Sequence, residues 1–279
     1  MKIQYDAPGV RVFESALFKT TSTVIDTPDL VLVVDPNWLP EEVAAIQHYV
    51  ESIQNDRPLW LLFTHSDYDH IIGYGAFANA KTIASEAFAT QTDQAAALEQ
   101  VQQWDEQYYI VRNYSLQYPH TDVAAKHGQT LSIGSTQLTF YAAPGHNGDG
   151  LFTIVVWEDQ CIWIAGDYLS DVEFPFIYHS SHAYEQTLLL IPEIMASHQP
   201  QLLIPGHGTV TASAEEILLR QQDSLRYIHR LRTCIREGAA FDEATLWQRY
   251  HFRKGQEAFH QGNIALMRKE LIAAGEIIA

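Results

Sequence analysis

The sequence lacks long apolar segments and has very few cysteines. Cys161 and Cys234 are the only thiols in 279 residues, which excludes a disulfide framework and is typical of a reducing compartment. No apolar run approaches the roughly 18 residues that a membrane-spanning helix needs. The first residues, Met1–Asp6, contain no apolar core of a secretion signal. We therefore expect a cytoplasmic protein that does not bind a membrane.

Basic residues are also scarce. The chain has 17 Lys and Arg against 34 Asp and Glu, which gives a formal net charge of −17. Nucleic acids and anionic membranes bind basic surfaces, so this balance argues against both as partners. Residues 127–219 contain no Lys or Arg, and we therefore expect a small-molecule substrate that is neutral. The only concentrated source of cations is the C-terminal part, where Arg226 and Arg230 lie on a predicted helix.

The patterning that is present is that of a globular α/β protein. Apolar residues make up 47% of the chain, enough for a substantial core. Short β-rich runs predict strands at 10–15, 20–26, 30–35, 59–63, 130–133, 137–142, 151–157, 160–165 and 201–204. The spacing of apolar residues predicts helices at 40–54, 86–109, 184–197, from 212 onward and at 256–277. This order predicts a mixed α/β sandwich in residues 1–211, with residues 212–279 as a helical extension packed on it.

Four polar clusters follow predicted strands, each at the point where the strand ends. Together they offer four imidazoles and three carboxylates: His65, Asp67, Asp69 and His70, then His146, then Asp167, and last His207. Strand ends can converge in space, so we expect these side chains at one rim. Imidazole and carboxylate are ligands of divalent transition metals. Seven donors are too many for one tetrahedral ion and suit two ions that share a carboxylate.

The same residues resemble the metallo-β-lactamase-fold superfamily. The family pattern is His-x-His-x-Asp-His, followed by a Gly-His, a bridging Asp and a final Gly-His. The resemblance covers residues 10–210 and implies an α/β fold, a four-layer αββα sandwich with metals at the rim between its sheets. Residues 1–211 would then be the catalytic domain. The resemblance further implies one metal site formed by His65, Asp67 and His146, a second formed by Asp69, His70 and His207, and Asp167 as the bridge.

One position departs from the family pattern. Asp67 stands where the family has a second His. A carboxylate is a harder ligand than an imidazole and favours manganese or iron more than an all-His site does. The resemblance thus implies two divalent metal ions, with zinc as the family's usual metal and iron or manganese as alternatives.

The predicted metals define the expected chemistry. Two cations lower the pKa of a water that bridges them, and the hydroxide attacks an ester, lactone, thioester or phosphoester of a small molecule. Asp69 and Asp167 are predicted to be catalytic through the metals that they hold. Three alternatives stay open: a di-iron redox protein that handles oxygen or nitric oxide, a nuclease of the same fold, and a metal-retaining binding or sensor protein without turnover.

Other residues close to the ligands in sequence are candidates for supporting roles. Asp35 follows a strand and is expected to orient a ligand as a hydrogen-bond acceptor. Tyr68, Tyr168, His179 and His182 are candidates for substrate contact or proton donation, with a surface or packing role as the alternative for each. The Ala/Gln-rich helix at 86–109 is open to three interpretations: ordinary packing, a lid, or the face of a homo-oligomer.

Overall fold

Two β-sheets form the centre of the computed structural model, which describes residues 1–77 and 79–278. The first sheet has its strands in sequence order: β1 (Lys2–Ala7), β2 (Val10–Glu14), β3 (Thr21–Asp26), β4 (Val31–Val34), β5 (Leu59–Leu62), β6 (Lys81–Ser85) and β7 (Val123–Ala125). It is antiparallel from β1 to β4 and parallel from β4 to β7. The sheet is therefore a mixed one, as in many α/β folds.

The second sheet is smaller and also mixed. Its strands are β8 (Thr130–Ile133), β9 (Thr136–Ala142), β10 (Leu151–Trp157), β11 (Gln160–Ile164) and β12 (Leu202–Ile204), and they lie in the spatial order β12-β11-β10-β9-β8. Pairing is antiparallel from β8 to β11, whereas β11 and β12 are parallel. A parallel pair needs a crossover connection, which the helices between β11 and β12 provide.

Helices cover the outer face of each sheet. They are α1 (Pro40–Gln54), α2 (Tyr68–Ile71), α3 (Glu86–Ala89), α4 (Gln94–Tyr108), α5 (Ser181–Leu189), α6 (Ile191–His198), α7 (Ala214–Glu237), α8 (Glu243–Arg249) and α9 (Arg253–Ala273). Ile46 of α1 packs with Leu61 on the first sheet, and Ile228 of α7 packs with Trp163 on the second. A third cluster, which includes Leu32, lies between the sheets. The order of layers is therefore αββα, as the resemblance implies.

Several predicted elements differ from the observed ones. The predicted helix at 86–109 is two helices, α3 and α4, since the chain breaks at Thr90–Asp93. The helix at 184–197 is likewise α5 and α6, because Pro192 in the first turn of α6 has no N–H to continue α5. Strands β1, β6 and β7 were not predicted. β7 has only three residues, whereas β1 has six, with Ile3, Tyr5 and Ala7 in alternation, and was overlooked. Among the described residues, no helix is both long and apolar enough to cross a membrane.

The C-terminal helices pack on the outer face of the second sheet. Ile228, Leu231 and Ile235 form the buried stripe of α7, and they share one apolar cluster with strands β10 and β11. The buried face of α9 changes character along its length. It is polar at Gln256 and at His260 and Asn263, and apolar only near its end, at Met267 and Leu271. The division into domains 1–211 and 212–279 stays a prediction.

Candidate metal centre

The four polar clusters meet at one edge of the two sheets. His65 comes three residues after β5, His146 four after β9, Asp167 three after β11 and His207 three after β12. Close backbone approach at this edge requires glycine. A Cβ on Gly145, where φ is +136°, would lie 2.3 Å from the Cα of Tyr184. Short loops at strand ends thus aim all four clusters at one point.

The seven predicted ligands lie in two adjoining groups. One consists of His65, Asp67, His146 and Asp167, and the other of Asp69, His70 and His207. In the first group, the Nε2 of His146 lies 3.0 Å from an oxygen of Asp67 and 3.2 Å from Asp167 Oδ2. In the second, the Nε2 of His207 lies 3.4 Å from Asp69 Oδ2. The structure therefore brings all seven side chains together.

Asp167 faces both groups. Its Oδ2 lies 3.6 Å from His65 Nε2 and 3.3 Å from His207 Nε2, and its Oδ1 lies 3.2 Å from His70 Nε2. A Cβ on Gly206 would lie 2.2 Å from Asp167 Oδ1, so only glycine leaves room for this carboxylate. Asp167 is the one residue of the seven whose oxygens contact imidazoles of both groups.

Each of the four imidazoles makes a hydrogen bond through Nδ1 on the side away from the centre. His70 donates to Asp35 Oδ2 at 2.9 Å, and His146 donates to the carbonyl of Phe176 at 2.8 Å. His207 donates to the carbonyl of Phe18 at 3.0 Å. His65 donates to the hydroxyl of Thr64 at 3.0 Å, and that hydroxyl donates in turn to Asp35. The neutral tautomer with the proton on Nδ1 leaves every Nε2 lone pair directed at the centre.

Unpartnered polar atoms at the centre have the character of metal ligands. Among the described residues, His65 Nε2 is buried without a hydrogen-bond partner, and Asp167 Oδ1 also lacks one, because its geometry to His70 is unsuitable. The Nε2 atoms of His70 and His207 face each other at 3.4 Å. Tetrahedral bonds of about 2.1 Å separate neighbouring ligand atoms by about 3.4 Å. The donor types and their spacing therefore fit divalent metal ions.

The carboxylate of Asp167 and the surrounding imidazoles stabilise each other's charged forms. Burial favours the neutral form of Asp167, but the surrounding imidazoles, His207 foremost, outweigh it and hold its pKa well below the usual range. Burial likewise opposes protonation of the imidazoles. Asp167 outweighs that effect and raises the pKa of His146 to about 9 and that of His207 to about 10. Cations bound here compete with protons for the same nitrogen atoms.

The departure at Asp67 puts a carboxylate where the family has an imidazole. The side chain is directed into the centre, and Asn147 Nδ2 donates a hydrogen bond to its outer oxygen. Burial alone would raise the pKa of Asp67, but the neighbouring imidazoles of His146 and His65 lower it far below its usual value. Asp67 is therefore an anionic oxygen donor in the first group. Asn147 is a supporting residue that the sequence interpretation missed, although it directly follows His146.

A cavity of about 1340 Å³ opens directly onto the two groups. Trp104 of α4 lines one wall together with the amides of Gln100, Gln103 and Gln107. Phe259 of α9 also lines the cavity, together with Phe176, Tyr178 and Phe252. Helix α4 is thus part of the cavity wall, which none of the three interpretations of this helix had stated.

Cations at the cavity come from residues that the sequence interpretation did not consider. The lining includes Lys19, Arg253 and Lys254. Arg226 and Arg230, by contrast, do not line it and pair with carboxylates of Asp223 and Asp242. Arg226 and Arg230 therefore do not supply the cations at the cavity, whereas Arg253 and Lys254 come from the C-terminal part that the charge distribution indicates.

The supporting residues fall into two sets. Asp35 is buried and bonds to His70, and the buried Tyr168 accepts a hydrogen bond from the N–H of His146 while donating to the carbonyl of Pro144. Tyr68 lines the cavity. His179, in the turn that precedes α5, and His182, in the first turn of α5, are exposed and do not line it.

The structure adds two cavity residues that sequence reasoning missed. Burial raises the pKa of the Glu173 carboxyl to about 7, and its Oε1 lies 3.9 Å from His207 Nδ1. The ring of Tyr178 packs against His146 with centroids 5.1 Å apart. Both residues belong to the irregular segment that follows Asp167, where no periodicity shows which side chains turn inward.

Comparisons with known proteins agree with the fold and the donor set. The model of the metallo-beta-lactamase superfamily matches residues 16–220, which is more than half of the chain. The chain therefore belongs to the metallo-β-lactamase superfamily. No curated protein sequence matches it significantly.

Solved structures of low sequence identity share the fold. A metallo-beta-lactamase family protein from Thermus thermophilus, TTHA1429, has a TM-score of 0.59 at 17% identity, with 82% of each chain covered. A metallo-beta-lactamase with a HARLDQ motif from Cronobacter sakazakii gives 0.57 at 15%, covering 82% of this chain and 88% of that one. ETHE1 from Myxococcus xanthus gives 0.54 at 18%, covering 79% and 85%. At such identities the likeness establishes the fold alone.

Proposed function

We propose that the protein is a metal-dependent hydrolase that cleaves an ester, lactone, thioester or phosphoester of a small molecule. One observation carries the proposal: seven metal-ligand side chains in two adjoining groups border a cavity large enough for a small molecule. Large cavities with converging polar groups are the usual place of enzyme active sites. Serine or cysteine nucleophiles are not needed for this chemistry.

The residues that would hold the metals follow from the two groups. His65, Asp67 and His146 would hold one divalent ion, and Asp69, His70 and His207 a second, with Asp167 between them. Zinc is the first candidate, and iron or manganese follow because of Asp67. When bound, divalent cations supply the Lewis acidity that activates water and polarises a carbonyl or phosphoryl oxygen.

The protein's own residues orient the ligands and bind the substrate. The hydrogen bonds from Nδ1 hold each imidazole ring in one plane, so little reorganisation accompanies metal binding. The carboxylates of Asp69 and Asp167 supply negative charge that retains the cations at the site. Aromatic rings of Trp104 and Phe259 provide apolar surface for the part of the substrate that does not react.

A substrate that is neutral at the reacting bond fits the charges of the cavity floor. Glu14 and Glu173 line the cavity in addition to the three carboxylates that would hold the metal ions, and they disfavour an anionic group on the substrate. We therefore propose a neutral small molecule with an apolar or aromatic substituent as the substrate. Nucleic acid and membrane are not proposed as partners. We place the reaction in the cytoplasm, and the association of the chain into a homo-oligomer stays open to measurement.

The test joins metal analysis and hydrolysis on one preparation. The purified protein is analysed for zinc, iron and manganese and assayed against neutral and anionic esters, lactones, thioesters and phosphodiesters. Asp167→Asn should lower both metal content and turnover strongly. Asp29→Asn is the matched control, since this carboxylate accepts hydrogen bonds from Ser135 and Thr136 far along the chain from the centre. Metal-loaded protein that hydrolyses nothing in the panel would refute the proposal.

A di-iron redox protein is the second candidate, because Asp67 adds a hard oxygen donor to the first group. Iron as the dominant metal, together with oxygen or nitric oxide consumption dependent on a reductant, would favour it over hydrolysis. Zinc or manganese without iron, after expression in iron-replete medium, would remove it. Tight binding of a panel compound without product would instead favour a binding or sensor protein.

A further inference from the structure

Helix α9 lies beyond residues 16–220, the part that matches the family model. Its buried polar face nevertheless contacts the segment 172–178, which forms hydrogen bonds with the candidate ligand His146. Gln256, Phe259 and Asn263 are spaced i, i+3 and i+7, which places them on one side of the helix. All three contact the segment 172–178. Gln256 Nε2 donates to the carbonyl of Val172 at 2.8 Å, and Phe259 stacks on Phe176 with centroids 4.1 Å apart.

The segment 172–178 in turn holds His146. The carbonyl of Phe176 accepts the hydrogen bond from His146 Nδ1, and the N–H of Tyr178 donates to the carbonyl of His146 at 2.9 Å. The ring and the backbone of His146 are thus both bound to a stretch of three residues without regular secondary structure. Such a segment needs support from elsewhere to keep its carbonyl in place.

Asn263 supplies that support on both sides of Phe176. Its Nδ2 donates to the carbonyl of Pro175 at 2.6 Å, and its Oδ1 accepts from the N–H of Ile177 at 2.9 Å. Only one orientation of the amide satisfies both bonds, because a carbonyl needs a donor and an N–H needs an acceptor. Asn263 is 1% exposed, so water cannot replace either bond.

The amide of Asn263 is itself fixed by a hydrogen-bonded chain on the far side from the centre. Its Nδ2 also donates to the hydroxyl of Tyr227 at 2.9 Å, and that hydroxyl donates to Nδ1 of His260 at 2.9 Å. Burial lowers the pKa of His260, which keeps Nδ1 available as an acceptor. The Nδ2 group of Asn263 therefore donates in two directions, to the carbonyl of Pro175 and to the hydroxyl of Tyr227.

We propose that Asn263 is a positioning residue that fixes the Phe176 carbonyl and, through it, the ring of His146 for metal binding. The inference rests on the proposed function only in that His146 holds a metal ion. It makes α9 a part of the metal site's support, although no α9 side chain is among the seven donors. Loss of Asn263 should weaken the group that contains His146 and leave the group that contains His70 unchanged.

The test measures metal affinity apart from activity. The metal-free full-length protein is titrated with Zn²⁺ against a chromophoric chelator, and with Co²⁺ while the visible spectrum is recorded. Asn263→Ala should lower affinity in one binding step about tenfold, the lower end of the effect of residues that orient metal ligands. The control is Gln221→Ala, which removes another buried amide that donates to a backbone carbonyl, that of Leu188.

Tyr227→Phe is a second variant that leaves Asn263 in place and removes only the hydroxyl that fixes its amide. It should show a smaller loss in the same binding step, and it keeps the proposal testable if Asn263→Ala does not fold. The proposal is overturned if Asn263→Ala folds and binds metal as the wild type does, or if Gln221→Ala loses as much affinity as Asn263→Ala. If Asn263→Ala does not fold, unchanged metal affinity in Tyr227→Phe overturns it. Absence of hydrolysis with the expected affinity pattern would refute only the proposed function.

Discussion

Replacing Asp35 by Asn should weaken metal binding more in one group than in the other. The carboxylate of Asp35 accepts three hydrogen bonds: from the N–H of Thr64 at 2.9 Å, from its hydroxyl at 2.6 Å and from His70 Nδ1 at 2.9 Å. An amide at this position keeps one oxygen as an acceptor for the N–H of Thr64. The NH₂ group then faces the Nδ1–H of His70, donor against donor.

The magnitude follows from the tautomer of His70. To accept from the new amide, the ring must move its proton from Nδ1 to Nε2, which removes the lone pair directed at Asp69 and Asp167. Keeping the other tautomer forfeits a hydrogen bond to a charged group, worth about 1.5–3 kcal/mol. Divided by about 1.4 kcal/mol for each factor of ten, this corresponds to a loss of about 10- to 100-fold in affinity.

The assay is Zn²⁺ titration of the metal-free protein against a chromophoric chelator. In Asp35→Asn, the affinity of the group that contains His70 should fall about 10- to 100-fold. The group that contains His65 and His146 should lose less affinity, because Asp35 reaches His65 only through the hydroxyl of Thr64. Asp29→Asn, which also removes a carboxylate that accepts several hydrogen bonds, should bind both ions as the wild type does. Wild-type affinity in Asp35→Asn would refute the tautomer argument, and an equal or greater loss in the group that contains His65 would refute the dominance of the direct bond to His70.

Three further predictions concern metal dependence, acid stability and charge. Stripping the protein with a chelator should abolish hydrolysis and lower the melting temperature, and adding back one divalent metal should restore both. The hydrogen bond from Ser15 and those from backbone N–H groups outweigh burial and lower the pKa of Glu42 below its ordinary value of 4.5. The stability that this carboxylate contributes is therefore full above pH 4.5 and is lost as the pH falls further. Glu42→Gln should lower the unfolding free energy at pH 7 by about 2 kcal/mol, and the unfolding free energy should then fall less steeply below pH 4.5. Arg253→Ala and Lys254→Ala should change kcat/KM for a neutral ester less than about twofold, and a selective loss on anionic esters would contradict the neutral substrate.

The fold and the convergence of the donors could be predicted because they depend on local signals. Each cluster follows a strand, and three of the four carry glycines that let the backbone turn sharply, as at Gly145 and Gly206. Four such clusters in a fixed order determine both the sheet edge and the chemistry offered there. Family membership and the αββα layers are therefore confirmed, whereas the roles of individual ligands stay predictions.

The cavity wall could not be predicted, because it depends on long-range packing. Nothing near Gln256 or Asn263 in sequence indicates that α9 contacts a segment more than 80 residues earlier. The polar face of α9 even weakens the apolar period on which helix prediction relies. Arg226 and Arg230 are the opposite case, in which a local signal is strong but does not mark the cavity. Their density of positive charge suggested a binding surface, whereas both side chains form ion pairs on the surface of α7.

Two of the four imidazoles are oriented by the same segments that shape the cavity. The carbonyls of Phe18 and Phe176 accept from His207 and His146, while the side chains of both phenylalanines line the cavity. Substitution of a side chain can therefore alter substrate contact without disturbing the ligands, whereas a backbone shift in either segment disturbs both. Phe18→Leu should accordingly raise KM with no change in metal affinity. A parallel loss of metal affinity would show that the ring of Phe18, not only its carbonyl, holds His207.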